Sequence, residues 1–180
     1  MQEDGTKMLG EKRRSLILEW LQNNSEPITG KALAEKTNVS RQVIVQDISL
    51  LKAKGEPIIA TSRGYVYFKE NNKMAKQSRI IVVSHRAEET ADELYTLVDI
   101  GVSVKNVMVE HPIYGDLTGS LMLKNRRDVD QFINELEKTN ASLLSKLTEG
   151  VHLHTIEADT EEQLDEACEA LREAGYLLES

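Results

Sequence analysis

Along "LGEKRRSLILEWLQNNS" the apolar positions Leu9, Leu16, Ile17, Trp20 and Leu21 fall on one face of a helix. In "PITGKALAEKTNVS" Thr29 is a natural N-cap, and Leu33 and Ala34 face inward on a short second helix. "NVS" makes a tight turn, and Ser40 caps a third helix, "RQVIVQDISLLKAKG". Its Ile44, Ile48 and Leu51 form an inward stripe, and Gly55 ends it. "PIIATS" and "YVYFK" then predict two short strands around Arg63-Gly64. Helix, helix, turn, helix, hairpin is the order of a winged helix-turn-helix, here assigned to residues 1–70.

The pattern breaks at "KENNKMAKQS", which has no hydrophobic period; residues 71–78 are read as a linker. Residues 79–180 alternate short apolar runs with amphipathic helices. "RIIVVSH", "VKNVMVEH", "LTGSLMLK" and "VHLHTIEA" predict strands; "AEETADELYTLVDIG", "RRDVDQFINELEKTN" and "TEEQLDEACEALREAGY" predict helices. The order β-α-β-β-α-β-α gives an α+β fold with a split-βαβ, ferredoxin-like second domain. Right-handed crossovers predict the sheet order 4-1-3-2, with the first strand antiparallel to the fourth and parallel to the second.

Charge changes how the two halves are read. The net charge of -8 argues against a polyanionic partner for the chain as a whole. Residues 1–70, however, hold 11 Lys+Arg against 9 Asp+Glu, or +2, so the acid resides in the second half. The single cysteine, Cys168, points to a reducing, cytoplasmic setting. No apolar run approaches the ~20 residues that span a bilayer, and the polar N-terminus is unlike a signal peptide.

On the third helix Gln42, Val45, Gln46 and Ser49 lie at i, i+3, i+4 and i+7, away from much of the inward stripe. Gln can pair with adenine, Val can touch a thymine methyl, and Arg41 at the helix start can read guanine. With Ser40, and with Arg63 at the wing tip aimed at a phosphate or the minor groove, these are the candidate DNA contacts. A charge of only +2 means modest phosphate affinity per copy, so a homodimer is expected.

The chain has four histidines. His152 and His154, two apart on a strand, share one face. His85 ends the first strand of the second domain and His111 the second, so the topology gathers all four at one end of one sheet. Glu88, Glu89, Asp92 and Glu93 follow on the next helix; Glu93, in its second turn, can point back over the sheet edge. Imidazoles with a carboxylate suit zinc, nickel or iron, and Glu110 is placed to hold an imidazole tautomer.

"ITGKALAEKTNVSRQVIVQDISLLKAKG" resembles the biotin-repressor-type helix-turn-helix. Joined to "VVSH", "VEHPIYGDLTGSLML" and "GVHLHTIEA", it is similar to the niacin-responsive transcriptional repressors of bacterial NAD biosynthesis, whose second part is the 3H domain. The resemblance covers nearly the whole chain. It implies a dimeric repressor, with nicotinic acid as co-repressor, and one divalent metal per chain. Carried over by position, the metal ligands are His85, Glu93, His152 and His154, while His111 fits better as a pocket residue beside the metal. The pyridine ring is expected in an apolar slot near Tyr114 or Leu117. The competing readings are a metal-dependent hydrolase, for which no nucleophile motif surrounds Ser84, and a regulator that senses the metal alone.

Overall fold

In the computed structural model, which describes residues 9–68 and 76–178, helix α1 (Gly10–Asn23) buries Ile17 and Leu21, while Leu9 just before it is exposed. Helix α2 (Gly30–Thr37) starts where the Thr29 hydroxyl accepts from the Ala32 N–H, and buries Leu33 and Ala34. Asn38 takes a left-handed conformation in the turn, and Ser40 caps helix α3 (Arg41–Ala53) by accepting from Val43 N–H. Ile44, Ile48 and Leu51 face inward as the spacing predicts, and Gly55 leaves the helix at φ +91°. Strands β1 (Ile58–Thr61) and β2 (Gly64–Tyr67) pair antiparallel, with Thr61 opposite Gly64. The turn is therefore Ser62-Arg63, one residue earlier than the sequence suggests. Gly64 sits at φ +127° with its Cα so close to the Ile28 carbonyl that a Cβ would lie 2.5 Å from it, so no other residue fits.

The buried Arg13 gives no signal in the apolar pattern of the sequence. Its guanidinium Nε donates to the Asp47 carboxylate at 2.5 Å, fastening α1 to α3, and Arg14 adds a contact at 3.3 Å. Asp47 lies on the inward side of α3, one position past Gln46, so the recognition helix is held by an ion pair as well as by its apolar stripe.

The chain divides into two units, residues 1–71 and 72–180. Of the proposed linker, 71–75 lie outside the described residues, while Gln77 and Ser78 already belong to the first strand of the second unit. That strand is β3 (Gln77–Ser84). After it come a 3-10 turn (Ala87–Glu89), α4 (Thr90–Asp99), β4 (Ser103–His111), β5 (Gly115–Leu123), α5 (Arg126–Thr139), a second 3-10 turn (Leu144–Thr148), β6 (Val151–Ala158) and α6 (Glu161–Glu173). Helix starts are again set by side chains: Asn125 accepts from Asp128 N–H, and Thr160 and Gln163 form a capping box.

The α+β element order is the expected one, but the strand order is corrected. The sheet runs β3-β6-β4-β5, which in domain order is 1-4-2-3 and not the ferredoxin-like 4-1-3-2. The antiparallel pairs β3·β6 and β4·β5 are common to both orders; here they are joined through β6·β4. β3 and β4 are still parallel strands split by an inserted one, and that inserted strand is the last. β3 becomes an edge, which residues after α6 cover: Ser84 N–H donates to Tyr176 O, and Leu178 N–H to Val82 O.

One sheet face is covered by helices. Ile81, Val83, Val104, Leu123 and Ile156 pack there against Leu94, Leu97 and Val98 of α4, Val129 of α5, and Leu164, Ala167 and Leu171 of α6. Strand alternation puts His152 and His154 on this covered face, in line with Ile156 and Ala158. On the other face Ile80 and Val151 are exposed.

Candidate metal centre and DNA-reading face

His152 and His154 arrive two residues apart from β6, His85 follows the last residue of neighbouring β3, and α4, which packs on β4, carries Glu93 to meet them. Burial of Leu94, Leu97 and Val98 turns Glu93 inward with them, and it is fully buried. Glu93 Oε2 lies 3.1 Å from His85 Nε2 and 3.9 Å from His152 Nε2; Glu93 Oε1 lies 3.2 Å from His154 Nε2. Of the four acids offered by the sequence, this one meets the imidazoles. Glu89 instead pairs with Arg86, and Asp92 accepts from the Tyr176 hydroxyl at 2.7 Å, which pushes that phenol up to about 12. The Tyr176 ring packs edge-on against His85.

The tautomers are fixed by main-chain carbonyls. His85 Nδ1 meets Arg86 O at 2.8 Å, His152 Nδ1 meets Gly150 O at 2.8 Å, and His154 Nδ1 meets Asn106 O at 2.6 Å. A carbonyl only accepts, so each Nδ1 carries the proton. Each neutral ring then turns an Nε2 lone pair toward Glu93. Glu110, expected to hold a tautomer, is exposed on β4 and takes no part. Gly150 (φ +98°) allows this approach, because a Cβ there would lie 2.4 Å from His85 O.

Lone pairs and a carboxylate facing one another in the core require a cation. Glu93 Oε1 and His154 Nε2 are buried without a hydrogen-bond partner. Burial pushes His85 and His154 down, but Glu93 outweighs it and their pKa values are raised. Burial pushes Glu93 up, but the charge of His154 and the contacts from all three imidazoles hold it well below the usual carboxylate range. One or more protons can supply the positive charge, and so can a metal. The ligand atoms of His85, Glu93 and His152 all lie within 4.8 Å of one another. Ligands about 2.0–2.1 Å from a tetrahedral ion stand about 3.3 Å apart, near the 3.1 Å from Glu93 to His85 and shorter than the 3.9 Å to His152, so these three fit a divalent ion; His154 falls outside their group and meets the other Glu93 oxygen at 3.2 Å.

A cavity of about 470 Å³ opens at His85, lined by Ser84, Arg86, Ser145, Lys146 and Gly150 among others. His111 and Tyr114 are not in its wall. His111 ends β4; Met108 faces Leu153, which places His111 toward the sheet end where β6 begins. Its Nδ1 accepts from the N–H groups of Ile113 and Tyr114, and its ring packs on Tyr114, itself 74% exposed. Its hydrogen bonds thus stay within its own hairpin. Ser145 and Lys146 leave no mark in the sequence because the 3-10 turn that carries them has no periodic signal.

In the first unit Arg41, Gln42, Val45, Gln46 and Ser49 are all exposed on α3. The Ser49 hydroxyl donates to Val45 O, and Ser40 is engaged as the cap. Arg63 departs from the expectation of an outstretched wing-tip cation: its guanidinium lies 3.1 Å from Glu26 and its side chain is 17% exposed.

The comparisons with known proteins agree with this two-part layout. Residues 78–180 match the 3H domain family, and residues 13–66 match an HTH domain family. The chain is 53% identical over 173 residues to "Transcription repressor NadR" of Bacillus subtilis (strain 168), covering 96% of each protein. It is 39% identical over 173 residues to "Probable transcription repressor NiaR" of Thermotoga maritima, covering 96% of this chain and 97% of that protein. Both relatives are named as regulators, which removes the hydrolase reading. Among the described residues no helix is long and apolar enough to cross a membrane. The chain therefore belongs to the family of transcription repressors that join an N-terminal helix-turn-helix to a 3H domain.

Proposed function

We propose that this repressor controls genes of NAD biosynthesis or niacin uptake, and that it binds operator DNA as a homodimer with nicotinic acid as co-repressor and one divalent metal per chain. The observation that carries the reading is the convergence of three tautomer-fixed imidazoles and a buried carboxylate beside a cavity open at His85. The kinship to proteins named NadR and NiaR supports the NAD connection.

His85, Glu93, His152 and His154 would hold the ion, which is zinc, nickel or iron. When bound, the ion supplies a Lewis-acidic position for a carboxylate. Lys146 in the cavity wall adds positive charge for the same group. His111 and Tyr114, at the neighbouring hairpin, are the proposed contacts for the effector ring. Gln42, Gln46, Arg41, Val45 and Ser49 read bases, with Ser40 and Arg63 near the backbone. Effector binding raises DNA affinity only to the extent that nicotinate binds the DNA-competent state better than the other.

Two titrations of operator binding test this: nicotinate at fixed metal, and metal at fixed nicotinate. The proposed function requires that nicotinate tighten binding at saturating metal. Metal alone giving the full response would identify a metal sensor instead.

A further inference from the structure

The ladder between β4 and β6 is irregular where it passes the metal candidate. From the pair Val104·Ile156 to the pair Met108·Leu153, β4 advances four residues and β6 three. The extra residue is a bulge within 105–107. A bulge leaves ladder groups unmatched, and here Asn106 occupies it. Its main-chain carbonyl is turned out of the ladder to accept from His154 Nδ1 at 2.6 Å. Its side-chain Oδ1 accepts from Thr155 N–H at 2.9 Å, the donor that the diverted carbonyl would otherwise leave without a partner.

We infer that Asn106 is a positioning residue for the metal centre, spending its backbone carbonyl on His154 and replacing that carbonyl in the sheet with its own side chain. The inference rests on the metal reading above. Asn is unfavourable within a strand, and its place in the middle of "SVKNVMVEH" is explained by these two bonds. A side chain with no acceptor at this position would draw the carbonyl back to Thr155. His154 would then lose the partner that fixes both its tautomer and its ring orientation. Groups in this role set the affinity of the ligands they orient.

The test uses the full-length protein and cobalt(II), whose visible bands report the ligand field. Asn106→Leu keeps the branching at Cγ and removes the acceptor; Asn106→Asp keeps the acceptor. The leucine variant is expected to bind cobalt about ten- to a hundred-fold more weakly, with altered bands, and the aspartate variant to stay within about threefold of the parent. A purely structural role would lower the melting temperature of the leucine variant and leave its bands and affinity at the parent values, which would overturn the inference. So would an aspartate variant as impaired as the leucine one.

A measurement on the metal-free parent keeps the inference testable if the leucine variant does not fold. In a long-range proton–nitrogen spectrum His154 should carry its proton on Nδ1. A bare Nδ1 would overturn the role of Asn106 whatever the protein's affinity for metal. Failure of the parent to bind cobalt would overturn the metal reading and with it this role.

Discussion

His154 Nε2 and Glu93 Oε1 lie 3.2 Å apart in the core of the second unit, and neither has a hydrogen-bond partner. The pair gives the metal-free protein a particular pH profile. His85 and His154 are raised above the ordinary 6.5, so their stabilisation is complete below that value and is lost as pH rises through their folded values. Glu93 is lowered below 4.5, so its share is present above that value and is lost as pH falls through its folded one. The cluster therefore stabilises the metal-free unit most between 4.5 and 6.5. Melting with chelator should show a decline on the alkaline side, and excess divalent metal should abolish it, because the ion takes the protons' place. Metal binding should weaken on acidification from a higher pH than an ordinary imidazole implies. A chelated protein with flat stability above 6.5 would contradict this profile.

The recognition face makes a separate prediction. Gln42→Ala and Gln46→Ala should each cost about 1–3 kcal/mol of operator affinity while leaving the fold intact. Both positions are exposed on α3 and have no packing role to lose. Competition between operator and random DNA measures the effect; unchanged discrimination in both variants would move DNA reading elsewhere.

The ion pair beneath that helix should behave differently. Asp47→Ala leaves the buried Arg13 charge without its closest partner, at a cost of about 3–5 kcal/mol. Denaturant unfolding of the first unit should show the loss, and operator affinity should fall with the folded fraction. A loss well under 1 kcal/mol would mean that Arg13 finds water or another partner at little cost.

Much of this architecture was legible as periodicity. Period two puts His152 and His154 on one face with Ile156, and the place of Glu93 in the second turn of its helix lets it point back over the sheet edge, where it is buried beside Leu94, Leu97 and Val98. The strand order was not legible, for a physical reason. Both candidate orders keep β3 antiparallel to β6 and parallel to β4, so the pattern satisfies either. The apolar run of β3 read as an interior strand, yet its outer edge is closed by residues 176–178, which no local pattern announces. Arg13 and Asp47 were hidden because two polar residues 34 positions apart give no signal of their pairing. Asn106 did leave a sign, being an amide inside a strand.

In the proposed site His85, Glu93, His152 and His154 hold one divalent ion. The most direct test is metal stoichiometry on the parent and on the double variant His152→Ala/His154→Ala, each purified, loaded with zinc, nickel or iron(II) in separate samples, and dialysed. About one tightly held ion per chain is expected in the parent and none in a double variant that remains folded, with nicotinate-dependent DNA binding reduced alongside. Full metal retention in the folded double variant would contradict this site and return the two histidines to the role of buried polar side chains.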